Sequence, residues 1–123
     1  DTVSDIVSQP ISSIISTDQT VPVDALVKRL LADISHQWKV EELAHEVGLS
    51  KRSLQRKLGI AGLNFSNLVR LVRIHEACSL LAESDAPLTS IAFCTGFSDS
   101  AHFSRDFRAS MGMTPTDYRA EIR

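Results

Sequence analysis

The chain has 123 residues, 43% hydrophobic and 23% charged, with a net charge of −2. That is the length of one domain with enough apolar content for a core, and five glycines and four prolines exclude collagen-like and low-complexity chains. No apolar run approaches the roughly 18 residues that cross a bilayer, and no basic start followed by an apolar stretch marks a signal peptide.

The charge is unevenly distributed. Residues 1–46 carry a net −5, residues 51–75 carry six bases and no acid, and residues 76–123 carry a net −3. The bases of the middle segment are Lys51, Arg52, Arg56, Lys57, Arg70 and Arg73. Such a concentration in an otherwise acidic chain is the footprint of a phosphate-facing surface, although a solvated helix face has the same composition.

Residues 1–20 contain eight Ser or Thr and no clear period, which reads as a linker or tail. The chain begins at Asp1, not Met, so a fragment or processed chain is expected, with the tail as tether to a missing domain. From Pro22 the pattern is helical. Leu26, Val27, Leu30, Leu31 and Ile34 recur at three- and four-residue spacing and predict one buried stripe over residues 22–36.

Residues 40–58, VEELAHEVGLSKRSLQRKL, place Leu43, Ala44 and Val47 on a short helix. Gly48 then suits a left-handed stop and Ser50 an N-cap for the next helix. Residues 88–107, LTSIAFCTGFSDSAHFSRDF, repeat this punctuation about 48 positions later. Ile91 and Ala92 replace Leu43 and Ala44, Gly96 replaces Gly48 and Ser98 replaces Ser50. With one extra residue allowed after the serine, Leu54 pairs with Phe103, Arg56 with Arg105 and Leu58 with Phe107. Each copy is helix, glycine turn, helix, the pattern of a helix-turn-helix. Small alanines let two helices cross closely, and the glycine reverses the chain.

Between the copies, Phe65 to Ala82 carries Phe65, Leu68, Val69, Val72, Ala77, Leu80 and Leu81 as an apolar face. At ~1.5 Å per residue it is a rod of about 27 Å, a spacer of the size needed by two helices reading DNA roughly 34 Å apart. The segment MGMTPTDYRAEIR closes the chain, with Thr114 as N-cap and Pro115 in the first turn. Tyr118 and Ile122 are expected to pin this last helix onto the second copy. The fold class is therefore all-α, divided into a tail over 1–20, a first helix-turn-helix subdomain over 21–63, a central helix over 64–84 and a second subdomain over 85–123.

From about Val40 to Arg119 the chain resembles the DNA-binding domain of the AraC/XylS family of bacterial transcription regulators. The most specific stretch is IAFCTGFSDSAHFSRDFRASMGMTPTDYR, and the likeness reaches back through the first helix to cover roughly 100 residues. The resemblance implies about seven helices in a homeodomain-like tandem, with the second helix of each subdomain entering a major groove. It implies a bacterial, cytoplasmic activator that meets a double-stranded operator and touches RNA polymerase. An N-terminal effector or dimerisation domain is expected outside this chain, and the fragment itself as a monomer.

Carried over residue by residue, the base-contacting positions of the first subdomain are Arg52, Gln55 and Arg56. Those of the second are Ser100, Ala101, His102, Ser104 and Arg105. Ser50, Lys51, Lys57, Ser98, Arg108 and Thr114 are the expected phosphate contacts. An Arg fork can bond O6 and N7 of guanine, Gln can do the same for adenine, and Ala can touch a thymine methyl. Two departures stand out. KLGIAGLNF after the first recognition helix is apolar, with Gly59 loosening the helix end, and Asp99 and Asp106 nearly neutralise the second recognition helix. The first subdomain is therefore expected to supply most affinity and specificity.

The remaining residues read as structural. Trp38, Phe93, Phe97, Phe103 and Phe107 are expected in the core, and Cys78 and Cys94 as buried reduced thiols. His36, His45 and His75 lack the spacing of a metal site or a triad. Arg73 can contact phosphate or pair with Glu76 or Glu42. No metal or cofactor is expected, and no phosphate loop, carboxylate pair or nucleophile–base set suggests an enzyme. The alternatives to sequence-specific DNA binding are a helical protein-interaction module and a nonspecific DNA binder.

Overall fold

The computed structural model describes residues 22–123; the tail expected over 1–20 lies outside the described residues. Seven helices and no strand make up these residues: α1 (Val23–Ala32), α2 (Val40–Glu46), α3 (Lys51–Ile60), α4 (Phe65–Glu83), α5 (Leu88–Cys94), α6 (Ser100–Met111) and α7 (Pro115–Ile122).

In α1 the apolar spacing works as expected, burying Val23, Leu26, Val27 and Leu30, with Ile34 just beyond the helix. Leu31, expected in the stripe, lies at its edge and is exposed. The helix also stops before residue 36. Asp33 donates its N–H to the Leu30 carbonyl, and its own carbonyl accepts Trp38 Nε1–H at 2.9 Å. This turn replaces the last helical turn, at a place where Asp33 and Ser35 favour turns over helix. Trp38 is partly buried against the first core.

The repeated helix pairs are built from the same bonds. Leu49 N–H donates to the Ala44 carbonyl at 2.8 Å, and 48 positions later Phe97 N–H donates to Ala92 at 3.0 Å. Gly48 and Gly96 both sit in the left-handed region, at φ 74° and 92°. Leu43, Ala44, Ile91 and Ala92 are buried, as are Leu54, Leu58, Phe103 and Phe107. α3 runs through Gly59 and ends at Ile60.

The cap of the second pair differs from expectation. The N-cap of α6 is Asp99, whose carboxylate accepts the His102 N–H at 2.7 Å, while Ser98 Oγ bonds His102 Nδ1 at 3.1 Å. The extra residue thus falls before the cap. A carboxylate at this position gains from the positive helix N-terminus as well as from the hydrogen bond.

α4 serves two cores. Its first half gives Leu68, Val69 and Val72 to the core beneath α1–α3, and its second half gives Ile74, Ala77, Cys78 and Leu81 to the core beneath α5–α7. Its 19 residues span about 28 Å at ~1.5 Å each. Arg119 of α7 closes its far end, donating from Nε to the Leu81 carbonyl at 3.2 Å and from Nη2 to Ser84 at 3.1 Å. A guanidinium there satisfies orphan carbonyls and meets the negative end of the helix.

α7 is held by that arginine, by buried Pro115 and by Tyr118, whose ring lies 5.5 Å from that of Phe107. Ile122 does not pin it and is 43% exposed. Phe93 is 78% exposed instead of in the core, and Cys94 is also at the surface. The repeat supplies the reason, because 48 positions back they correspond to His45 and Glu46 on the outer face of α2.

The two lobes meet at one close approach. Gln37 Nε2–H donates to the Gly96 carbonyl at 2.8 Å. Arg73 of α4 is half-buried beside it, donating to the His36 carbonyl at 3.4 Å with its guanidinium 5.9 Å from the centre of the Phe97 ring. A Cβ on Gly96 would stand 2.7 Å from the Ile34 carbonyl oxygen and 2.9 Å from Arg73 Nε. Arg73 therefore pairs with neither Glu76 nor Glu42. The carboxylate of Glu42 meets His36 at 2.9 Å instead.

Gly48 and Gly96 separate conformational strain from close approach. Gly48→Ala meets nothing within 4 Å and should cost about 1–2 kcal/mol for the left-handed backbone alone. Gly96→Ala adds an overlap with backbone and should cost a further ~1–3 kcal/mol, read by urea denaturation. Equal losses at the two sites would show that the lobes do not meet as described.

The cysteines provide a second check. Burial pushes the Cys78 thiol up to about 11, whereas Cys94 is open. Iodoacetamide at pH 8 should modify Cys94 in the folded chain and Cys78 only after unfolding. Equal native labelling rates would contradict the second core.

Candidate nucleic-acid interface

On α3, every candidate but one faces solvent. Lys51, Arg52, Gln55 and Arg56 are exposed, and Ser50 precedes them with its hydroxyl accepting the Ser53 N–H at 3.1 Å. Lys51 meets Glu41 at 3.2 Å, tying α2 to α3. The Glu41 carboxyl is held below the usual value, first by a hydrogen bond from its own backbone N–H and then by Lys51. Arg52 and Arg56, at i and i+4, share one outward stripe, and among the described residues no acid is paired to either.

Lys57 is the exception and corrects the sequence reading. It lies on the inner face between Leu54 and Leu58, and its buried Nζ has no hydrogen-bond partner among the described residues. It is not a phosphate contact.

On α6, Ala101, Arg105 and Arg108 are exposed, while Ser100, His102 and Ser104 are half-buried. His102 is the most constrained of these. Its Nε2 lies 3.2 Å from Asp106, its Nδ1 meets Ser98, and its ring packs edge-on to Phe97 with centroids 5.5 Å apart. Thr114 sits at the turn into α7, where its hydroxyl accepts the Asp117 N–H at 3.1 Å. The two recognition helices therefore share a backbone design but not a charge. Three bases point outward from α3, whereas Arg105 and Arg108 on α6 are offset in part by Asp106 and Asp99.

A groove of about 350 Å³ runs between the lobes along α4, and its walls include Arg70, Arg73, Trp38, His102 and Asp106. Arg70 did not emerge as a site residue from the helix-turn-helix pattern, although it belongs to the basic segment. Among the described residues no set of three His, Cys, Asp or Glu is arranged for a metal ion, and no helix is long and apolar enough to cross a membrane.

Two helix-turn-helix units on a shared central helix, each turning the outer face of its second helix to solvent, define a double-headed DNA-binding domain. Residues 43–121 match the family described as "Helix-turn-helix domain", and the chain belongs to that family, in its AraC-type branch. It is 28% identical over 100 residues to the HTH-type transcriptional activator FapR of Escherichia coli, covering 81% of this chain and 38% of the relative. With the HTH-type transcriptional activator RhaS of Klebsiella pneumoniae it is 39% identical over 101 residues, covering 78% of this chain and 36% of the relative. A solved AraC-type regulator from Chromobacterium violaceum superposes with a TM-score of 0.75 at 28% identity, covering 79% of this chain and 88% of that one. The chain spans less than half the length of these curated relatives.

The cap assignment is open to direct measurement. Asp99→Ala should cost about 1 kcal/mol of stability, and Ser98→Ala much less, in chemical denaturation. The opposite order would return the cap to Ser98.

Proposed function

We propose that this chain reads a double-stranded operator by placing α3 and α6 in successive major grooves, as the DNA-binding part of a bacterial transcription activator. The observation that carries this reading is the outward stripe of Arg52, Gln55 and Arg56 on a helix whose inner face is fully used by the core. Arg52 and Arg56 offer planar forks to guanine, and Gln55 offers an amide to adenine. Ala101, Ser104 and Arg105, with His102 and Ser100 at the edge, form the matching set on α6. Ser50, Lys51, Ser98, Arg108 and Thr114 flank the two helices and serve the phosphates.

The first lobe supplies most of the affinity. Among the described residues only Lys51 of its three outward bases is paired to an acid, whereas His102 and Asp106 hold one another on α6. The chain acts as a monomer, because two reading heads in one chain remove the need for a second copy. It has no catalytic role and works in the cytoplasm, with RNA polymerase as the protein partner of the activator.

Selection from a random-sequence duplex library tests this reading. Two enriched blocks about one helical turn apart are expected, with the block bound by α3 the more sharply defined. Arg56→Ala should cost ~1–3 kcal/mol of specific binding and relax preference at one position, with the melting temperature unchanged. Binding that fades with salt and enriches no sequence would leave a nonspecific binder. A chain without affinity for any duplex would favour the protein-interaction module.

A further inference from the structure

The basic segment that marks this sequence does not end with α3. Its last two members, Arg70 and Arg73, lie on α4, outside both helix-turn-helix units. Ser66, Arg70 and Arg73 are spaced i, i+4 and i+7, so they share one stripe of that helix, and all three line the groove between the lobes. The stripe faces neither core, since Leu68, Val69 and Val72 point into the first and Ile74, Ala77 and Cys78 into the second.

The two arginines differ in what already holds them. Arg73 is committed to the lobe junction, bonded to the His36 carbonyl and lying by Phe97. Burial lowers its affinity for a proton, and Asp106 opposes that loss. Arg70 is exposed and among the described residues makes neither an ion pair nor a side-chain hydrogen bond. Across the groove, His102 and Asp106 of α6 form the opposite wall, and they pair with each other at 3.2 Å. The groove therefore opens beside the second recognition helix and carries an excess positive charge with one free guanidinium.

We propose that this groove takes the DNA backbone between the two major-groove insertions, with Arg70 as a phosphate contact. The inference rests on the reading of α3 and α6 as DNA-reading helices. A duplex engaged by both must carry its phosphates past the helix that joins them, and a cationic wall there lowers the cost of bringing that charge close. Charge complementarity and continuity with the α6 surface through His102 argue for this occupant. Arg70 binds by charge and not by sequence, so it sets register and affinity while the bases are read elsewhere.

The test compares wild type, Arg70→Ala and Arg70→Lys on duplexes recovered from the library selection and on an unselected random duplex, across a salt series. Arg70→Ala should weaken both duplexes alike and reduce the slope of log affinity against log salt by about 0.9. Base preferences and melting temperature should not change, and Arg70→Lys should restore most of the slope. An unchanged slope with normal wild-type binding would overturn the phosphate contact and leave the DNA-binding reading intact. A changed base preference would overturn it too, making Arg70 a base reader. Wild type without affinity for any duplex would bring down the underlying reading itself.

Discussion

The architecture depends on how closely the two lobes approach at Gly96. The turn of the second helix-turn-helix lies against the Ile34 carbonyl of the first lobe, with Gln37 bonded to the Gly96 carbonyl and Arg73 filling the space beside it. A single hydrogen atom at Cα is all that fits. Each lobe has a core of its own, so α4 sets their separation and this junction sets their relative orientation. A bipartite reader needs both, because two helices address one duplex only when their spacing and phase match its repeat.

Duplication explains much of the chain's economy. The same pair of turn bonds, the same left-handed glycine and the same two inward positions on the second helix recur in both lobes. What differs is what each copy shows to solvent. α3 turns out Lys51, Arg52 and Arg56, while α6 turns out Arg105 and Arg108 and holds His102 against Asp106. The turn and the inward positions are met alike because geometry imposes them, although the caps differ, Ser50 in one copy and Asp99 in the other. Surface charge is freer to diverge, and in this chain it leaves α3 the more basic of the two helices.

Much of this was legible from the sequence. Both glycine turns, the caps at Ser50 and Thr114 and the paired core positions follow from local rules of spacing and side-chain chemistry, whereas the number of helices came with the family resemblance. The failures are also physical. Phe93 looked like core because it is aromatic, yet its place in the repeat corresponds to His45 on an outer face. Lys57 looked like a phosphate contact because it lies in a basic run, but the helix phase sends it inward between Leu54 and Leu58. In both cases residue type misled where register would have been right.

By itself, the sequence determined the all-α class, the duplicated helix-turn-helix and the outward arginine face of α3, since each depends on interactions within a few residues of chain. The tertiary structure decided the long-range contacts: the fit at Gly96, the capture of Arg73 at the lobe junction, the closure of α4 by Arg119 and the groove lined by Arg70. Those contacts join residues 23 to 62 positions apart. No local spacing encodes them, because they form only when distant segments are packed along one helix.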